Sequence, residues 1–223
     1  MKTKSTDIPN MHRDMTGADI HALVGASPFI IEVGANDGQS TDMFLKAMPK
    51  ATILCFEPEP SAIGKFRGMN FDNRVRLYEW AIADRFQLQR DFHCSGGIPD
   101  CNHPDVPWNK SGSLPPPKEH LNRSPEITYT RTIKVSTRTL DSFTDDMQLP
   151  VDFLWCDVQG SEPLVILGGQ RTLRQTKYAI FEYYDQEMYE RQADIRGLTS
   201  FLPDFDPIAI YGENILFRNR TLT

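Results

Sequence analysis

Acids placed just after short apolar runs decide what chemistry this chain can attempt. The first group lies in Phe29 to Thr41, F-I-I-E-V-G-A-N-D-G-Q-S-T, where Glu32 and Asp37 flank a bend containing Gly34 and Gly38. The second is Asp157-Val158-Gln159-Gly160-Ser161-Glu162, and Glu182 closes a further apolar run, Tyr178 to Phe181. A small-residue bend ahead of a helix lets a ligand approach bare backbone N–H groups. With no third glycine in register, the bend is not the G-x-G-x-x-G of a dinucleotide site, and it lacks the Gly-Lys-Ser/Thr of a phosphate loop. Two acids there would repel a pyrophosphate and attract a cation. S-adenosylmethionine, with its sulfonium and ammonium, meets that electrostatic demand. An ordinary turn with incidental acids is the plainer alternative.

The elements that position these residues follow from apolar runs and their breakers. Phe29 to Val33 reads as a strand buried on both faces of a parallel sheet, closed by Gly34. Ser40 and Thr41 are expected to cap a helix carrying Met43, Phe44, Leu45, Ala47 and Met48. Thr52 to Phe56 reads as the second strand. Glu57 at its tip, about twenty residues beyond the bend, is placed to accept ribose hydroxyls; the alternative is a capping acid for the helix near Ser61. Arg74 to Ala83 is the third expected strand. Asp84 after it suits the exocyclic amine of an adenine, with Ile82 and Ala83 near the ring, or else forms a simple turn. Val151 to Cys156 and Tyr178 to Phe181 are the next strands, with a helix through Leu164 to Leu167 between them. Asp194 to Leu202 reads as helical, and Pro207 to Tyr211 with Ile215 to Phe217 as a closing hairpin.

The 223 residues, 39% of them hydrophobic, fit one α/β domain with a sizeable core. Residues 1–15 read as a loose arm. Residues 85–140 read as an insertion: two alternating segments, Phe86 to Phe92 and Ile127 to Val135, around a loop rich in Pro, Gly, Ser and Asn. Within it, Ser111 to Leu114 is assigned to a substrate entrance. A net charge of −6 argues against a broad nucleic-acid footprint. No stretch is long and apolar enough to cross a bilayer, and the N-terminus has no hydrophobic signal core, so a cytoplasmic location is expected. Of the four cysteines, Cys55 and Cys156 fall in expected strands, Cys94 and Cys101 in the loop, and no disulfide framework results. Cys94, Cys101, His103 and His120 match no paired zinc-ligand spacing, and no metal site is assigned. Oligomeric state is not legible.

Several of these pieces together resemble one family. Glu32-Val33-Gly34-Ala35-Asn36-Asp37-Gly38, Phe56-Glu57-Pro58, Ala81-Ile82-Ala83-Asp84, Thr139-Leu140-Asp141-Ser142-Phe143 and Val151-Asp152-Phe153 leading to Asp157-Val158-Gln159-Gly160-Ser161-Glu162 are similar to the motifs of FkbM methyltransferases. The likeness spans about residues 29–218, and the D-V-Q-G-x-E piece is the most specific. It implies a class I methyltransferase Rossmann-like α/β fold: seven mostly parallel strands in the order 3-2-1-4-5-7-6, the last antiparallel, with helices on both faces. It further implies S-adenosylmethionine as cofactor, with contacts from Glu32, Gly34, Ala35, Asn36, Gly38, Thr41, Glu57, Pro58, Ala83, Asp84 and Asp157. The insertion is longer and richer in proline than a minimal member needs, so substrate identity does not carry over.

The resemblance implies O-methylation of a small hydroxylated acceptor, a sugar or secondary metabolite. A base beside the hydroxyl would help, and Asp157, Glu182 and His93 are the candidates. Asp157 and Glu182 could instead hold Mg²⁺, although a third ligand is not evident. Methylation of an amine, a nicotinamide-dependent oxidation and a non-catalytic nucleotide-binding module are the competing readings.

Overall fold

The computed structural model describes residues 8–100, 103–146 and 150–222. Its centre is Phe29–Val33 (β1), buried at every position. Thr52–Phe56 (β2) and Val75–Tyr78 (β3) extend the sheet on one side. Val151–Cys156 (β9), Thr176–Glu182 (β10), Asn214–Asn219 (β12) and Phe205–Tyr211 (β11) extend it on the other. The order is β11-β12-β10-β9-β1-β2-β3. Counting these seven strands along the chain gives 3-2-1-4-5-7-6, with β12 antiparallel to both its neighbours. This is the α/β architecture anticipated from the motifs.

Side chains of β1 alternate between two apolar layers. Phe29, Ile31 and Val33 pack with Leu154, Phe181 and Phe217, while Ile30 packs with Phe44, Met48 and Ile53. The second layer is covered by the helices Gly17–Val24 (α1) and Gln39–Ala47 (α2). By the same alternation Glu32 enters the second layer, and it is fully buried there. Its Oε2 accepts hydrogen bonds from the Thr41 hydroxyl and, at 3.5 Å, from the Cys55 thiol, while Oε1 has no partner among the described residues. Burial pushes the Glu32 carboxyl up to about 8. Thr41 therefore does not cap α2: the cap is Gly38, three residues before Thr41, at φ +87° and without a side-chain hydrogen bond, and the helix begins at Gln39. The expected cap at Ser40 or Thr41 is overridden by the buried acid, which needs the hydroxyl.

Three other expectations need correction. Residues 8–15 are not loose. Ile8 and Met15 are buried, Met11 N donates to the Ile210 carbonyl at 2.9 Å and Ile210 N donates to the Pro9 carbonyl at 2.8 Å. The third strand is shorter than Arg74 to Ala83 because the chain changes sheets at Glu79 and Trp80. Ala81–Ile82 (β4) joins Gln87–Gly96 (β5) and Thr128–Arg138 (β8) in a second sheet ordered β4-β8-β5. Cys94 lies within β5, buried, rather than in a loop.

The two alternating segments of the insertion do pair antiparallel, as β5 and β8. Between them come Pro99–Asp100 (β6) and His103–Pro107 (β7), a loop, and the short helix His120–Arg123 (α4). Cys101 lies outside the described residues. Helices Pro60–Gly68 (α3), Glu162–Gly168 (α5), Gln170–Leu173 (α6) and Ile195–Phe201 (α7) complete the layers, with a 3-10 turn at Leu140–Asp146.

At Gly34 the backbone has φ +88°, and an added Cβ would lie 1.8 Å from the Asp157 carbonyl oxygen. Gly34→Ala should therefore lower stability by roughly 3 kcal/mol or more, since both strain and a backbone clash act there. An unchanged thermal midpoint would mean that the β1 and β9 turns do not touch. For Glu32 the sign follows from its raised value. Below the ordinary 4.5 its stabilising share is fully present, and it is lost as pH rises through about 8. Between those values the unfolded chain gives up the proton that the folded chain keeps. Subtracting chemical-unfolding free energies of Glu32→Gln from wild type should leave a difference that falls by a few kcal/mol across that window. A flat difference would show that the acid ionises normally in the folded chain.

Candidate active site

Three turns meet at the carboxyl edge of β1, β2 and β9. In the first, Gly34 N and Ala35 N both donate to the Phe56 carbonyl, at 2.9 and 3.0 Å, which fixes the β1 bend to the end of β2. Asn36 takes φ +44°, one of the few non-glycine residues in left-handed backbone. Its N–H donates to Glu57 Oε2 at 2.9 Å, and Glu59 N donates to Glu57 Oε1 at 2.8 Å. Glu57 thus staples the first turn to the second with both oxygens. The helix cap at α3 is Glu59, whose carboxylate accepts from Ala62 N at 2.8 Å and pairs with Arg131 at 2.6 Å. Glu57 is buried, and desolvation pushes it up to about 7 against the pull of its two backbone donors.

Between these turns lies a cleft of about 570 Å³. Gly34, Asn36, Glu57 and Pro58 form one wall, and Trp80, Ala81 and Ile82 the other. The insertion supplies a roof from Phe92, Asn109, Gly112 and Leu114, and the far end is Asp157, Val158 and Ser161. The roof is tied down on the first turn. Asn36 Nδ2 donates to the Asn109 carbonyl at 3.0 Å, and Lys110 lies 3.5 Å from the Asp37 carboxylate. Asp37, which also accepts from Gln39 N at 3.2 Å, is thereby engaged with the insertion and the start of α2.

Beyond the cleft's far end sits an acid hub. Gln159 Nε2 donates to Asp157 Oδ1 at 2.7 Å and to Glu182 Oε2 at 2.8 Å. Tyr184 OH donates to Glu182 Oε1 at 2.7 Å. Val158 N donates to Glu162 at 3.1 Å. Burial raises the carboxyls of Asp157, Glu162 and Glu182, and repulsion from Asp157 and Glu162 drives Glu182 higher still. Two carboxyls this close in a dry site share protons rather than both ionise. Asp157 borders the cleft, while Glu182 lies behind it on the same amide.

Not every anticipated residue reaches the cleft. Glu32 and Thr41 bond to each other beneath the bend. Ala83 is fully buried, its carbonyl so close to Gly168 that a Cβ there would lie 2.0 Å away. Asp84 stands 3.7 Å from Arg90 and is not among the cleft's walls. His93 exchanges backbone hydrogen bonds with Ser113, at 2.8 and 3.1 Å, while its neighbour Phe92 faces the cleft. His120 is buried between Tyr129 and Tyr189, each ring 5.4 Å away, and Cys94 packs with Phe92 and Leu114. Among the described residues no three His, Cys, Asp or Glu side chains are grouped to hold a metal ion. Trp80, Asn109, Ser161, Gln159 and Tyr189 were not anticipated. Of these only Gln159 and Ser161 carried a local signal, the D-V-Q-G-S-E run itself.

The cleft suits a nucleoside cofactor with a cationic centre. Asn36 Oδ1 and Ser161 Oγ are buried polar atoms on its lining with no partner among the described residues. Such atoms are costly to leave unpaired and point to a polar ligand. Gly34 lets the first turn close on the Asp157 backbone, Glu57 and Asp157 supply carboxyl oxygens, and Trp80, Ile82, Phe92 and Leu114 supply an apolar slot for a flat ring.

Comparison with known proteins gives the same answer. Residues 32–209 match the Methyltransferase FkbM domain. The chain is 37% identical over 225 residues to 2-O-methyltransferase NoeI of Sinorhizobium fredii, covering 98% of this chain and 89% of that protein. Among solved structures, cofactor-bound Rv0187 from MTB superposes with a TM-score of 0.51 at 11% identity, over 99% of this chain and 82% of that one, a likeness of fold alone. The strand order, the two-glycine bend, the acid-lined cleft and the family match together identify the chain as a member of the FkbM family of S-adenosylmethionine-dependent methyltransferases.

Proposed function

We propose that this methyltransferase acts on a hydroxyl oxygen of a small polyhydroxylated acceptor, a sugar or a secondary metabolite, with Asp157 as the base. The observation that carries this reading is the carboxyl of Asp157 on the cleft lining, held against a second carboxyl, Glu182, by one amide. An alcohol is a weak nucleophile and gains from a base at bonding distance, whereas a neutral amine needs none before attack. The name of the relative, 2-O-methyltransferase NoeI, supports the same choice.

In this scheme Gly34, Ala35, Asn36 and Gly38 approach the amino-acid end of the cofactor with backbone groups, and Asn36 Oδ1 and Ser161 Oγ find their partners on it. Glu57 and Pro58 border the ribose, and Trp80, Ile82 and Leu114 enclose the base. When bound, the cofactor supplies an electrophilic methyl group on a positively charged sulfur. The chain's own work is to orient the acceptor, keep water out beneath the roof of Phe92, Asn109 and Gly112, and move one proton. Asp157 takes that proton from the hydroxyl. Glu182, behind Asp157 on the shared Gln159 amide, helps to hold that carboxyl in place. No metal enters this scheme.

Incubation of the full chain with isotopically methyl-labelled cofactor, a panel of hydroxylated acceptors and matched amines tests the class. Label should appear on oxygen, and label confined to nitrogen would sink the proposal. With a methylated acceptor in hand, Asp157→Asn should lower kcat by roughly 10²- to 10⁴-fold, as loss of a general base does. Binding of S-adenosylhomocysteine, read by calorimetry, should change only a few-fold. Matching losses in both would move Asp157 to the cofactor's amino-acid end. Glu57→Gln places an amide NH₂ against a backbone N–H that now meets a carboxylate oxygen. It should weaken S-adenosylhomocysteine binding at least tenfold and cost about 1–3 kcal/mol of stability. Normal affinity in that variant would remove Glu57 from the ribose.

A further inference from the structure

Gln159 has no assigned part in the reaction, yet its side chain is the most completely matched polar group near the acids. Its backbone sits at φ +53°, a conformation that costs a non-glycine residue energy and persists where the surroundings enforce it. Here the enforcement is visible. The amide NH₂ has two protons and meets two carboxyl oxygens, of Asp157 and Glu182, at 2.7 and 2.8 Å. The amide oxygen accepts from Tyr189 OH at 2.7 Å. A flipped amide would turn its oxygen toward two acids, so the tyrosine proton fixes the orientation that serves them.

Tyr189 is wholly buried and is held in turn by the insertion. Its hydroxyl lies 3.2 Å from the Ser111 carbonyl and 3.2 Å from Tyr129 OH. Gly160 makes room for it, since a Cβ at that position would lie 2.7 Å from Tyr189 Cβ. Ser111 N accepts its place from β5 by donating to Ser95 Oγ at 3.1 Å, and the next residue, Gly112, roofs the cleft. With the Tyr189 proton on Gln159, Tyr129 OH donates to Tyr189 OH, and a run of hydrogen bonds leads from β8 of the insertion to the two acids, with the Ser111 carbonyl beside it.

We propose that Gln159 is a positioning residue for methyl transfer: its amide holds Asp157 and Glu182 in one arrangement and ties that arrangement, through Tyr189 and Tyr129, to the β8 strand of the insertion that roofs the cleft. Tyr129 OH donates to Tyr189 OH, Tyr189 gives its proton to the amide oxygen, and the amide brings the carboxyls together. The inference rests on the reading of Asp157 as the acceptor-facing acid, but its structural half can be measured without any acceptor.

The test uses the full chain, with Gln159→Met, which keeps length and removes every hydrogen bond, and Tyr189→Phe, which removes one hydroxyl. Carboxyl carbons of Asp and Glu are labelled and followed by NMR against pH with S-adenosylhomocysteine bound. Other groups face the pair and must be assigned beside it: Glu162 from α5, Glu213 from the β11–β12 turn, Tyr184 after β10, Tyr129 on β8, and Glu57 after β2. Loss of its one amide donor should move the titration of Asp157 upward by about one pH unit in Gln159→Met, and by less in Tyr189→Phe. The S-adenosylhomocysteine affinity should stay within about threefold. With a methylated acceptor, kcat should fall on the order of tenfold or more while KM changes little.

An unmoved carboxyl titration in both variants would overturn the proposal. So would equal falls in cofactor affinity and thermal midpoint without a shift, since that is the signature of a structural glutamine. If Gln159→Met does not fold, Tyr189→Phe decides alone. If wild type methylates no hydroxylated acceptor, the functional reading fails while the NMR shift still scores the clamp.

Discussion

The near-contact of Gly34 with the Asp157 carbonyl governs this molecule. β1 and β9 are neighbours in the sheet, and their turns leave in the same direction, so any side chain at the first position of the β1 turn would force them apart. With glycine there, the turns press together and their two functions merge. One turn lines the cleft through Gly34 and Asn36, and the other presents the carboxyl of Asp157. Asp157 N donating to the Val33 carbonyl at 3.0 Å continues the sheet pairing into this junction. Everything that follows along the D-V-Q-G-S-E run inherits its position from that contact.

The second constraint is electrostatic. Glu32, Glu57, Asp157, Glu162 and Glu182 all carry raised carboxyls, and burial is the leading cause for each. They do not do the same job. Glu32 stands in the apolar layer beneath the bend and acts as a neutral hydrogen-bonding post for Thr41. Glu57 binds two turns together. Asp157 and Glu182 share one amide donor pair, and their mutual repulsion separates the steps in which they lose their protons. A dry, acid-lined cleft is costly to ionise when empty and rewards a cation when filled, which is the discrimination a sulfonium needs against a neutral product.

What was legible in the sequence is what local pattern encodes. Phe29–Val33 and Thr52–Phe56 announced themselves as apolar runs closed by a glycine or an acid, and strand-tip acids such as Glu57, Asp157 and Glu182 could be placed from topology. The errors share another cause. Thr41 was read as a cap because its partner, Glu32, is nine residues away on another element. Trp80 was read as mid-strand because nothing local signals that the chain leaves one sheet for another there. Asn109 and Tyr189 carry no motif at all: the first matters through its backbone carbonyl, the second through a hydroxyl that meets a glutamine thirty residues earlier. His93 fell one residue out of phase with Phe92, and in a strand one residue is the difference between facing a cleft and facing away.

The segment around Pro9 to Met11 lies along β11, the outermost strand of the main sheet, with hydrogen bonds in both directions to Ile210. Outer strands present unused N–H and C=O groups that recruit strands from other molecules. Here the chain's own leading residues occupy those groups in part, and the buried Ile8 and Met15 anchor each side of the cover. A short, sequence-plain stretch thus covers part of that margin, and removing residues 8–11 would uncover the Ile210 N–H and C=O together with a little core.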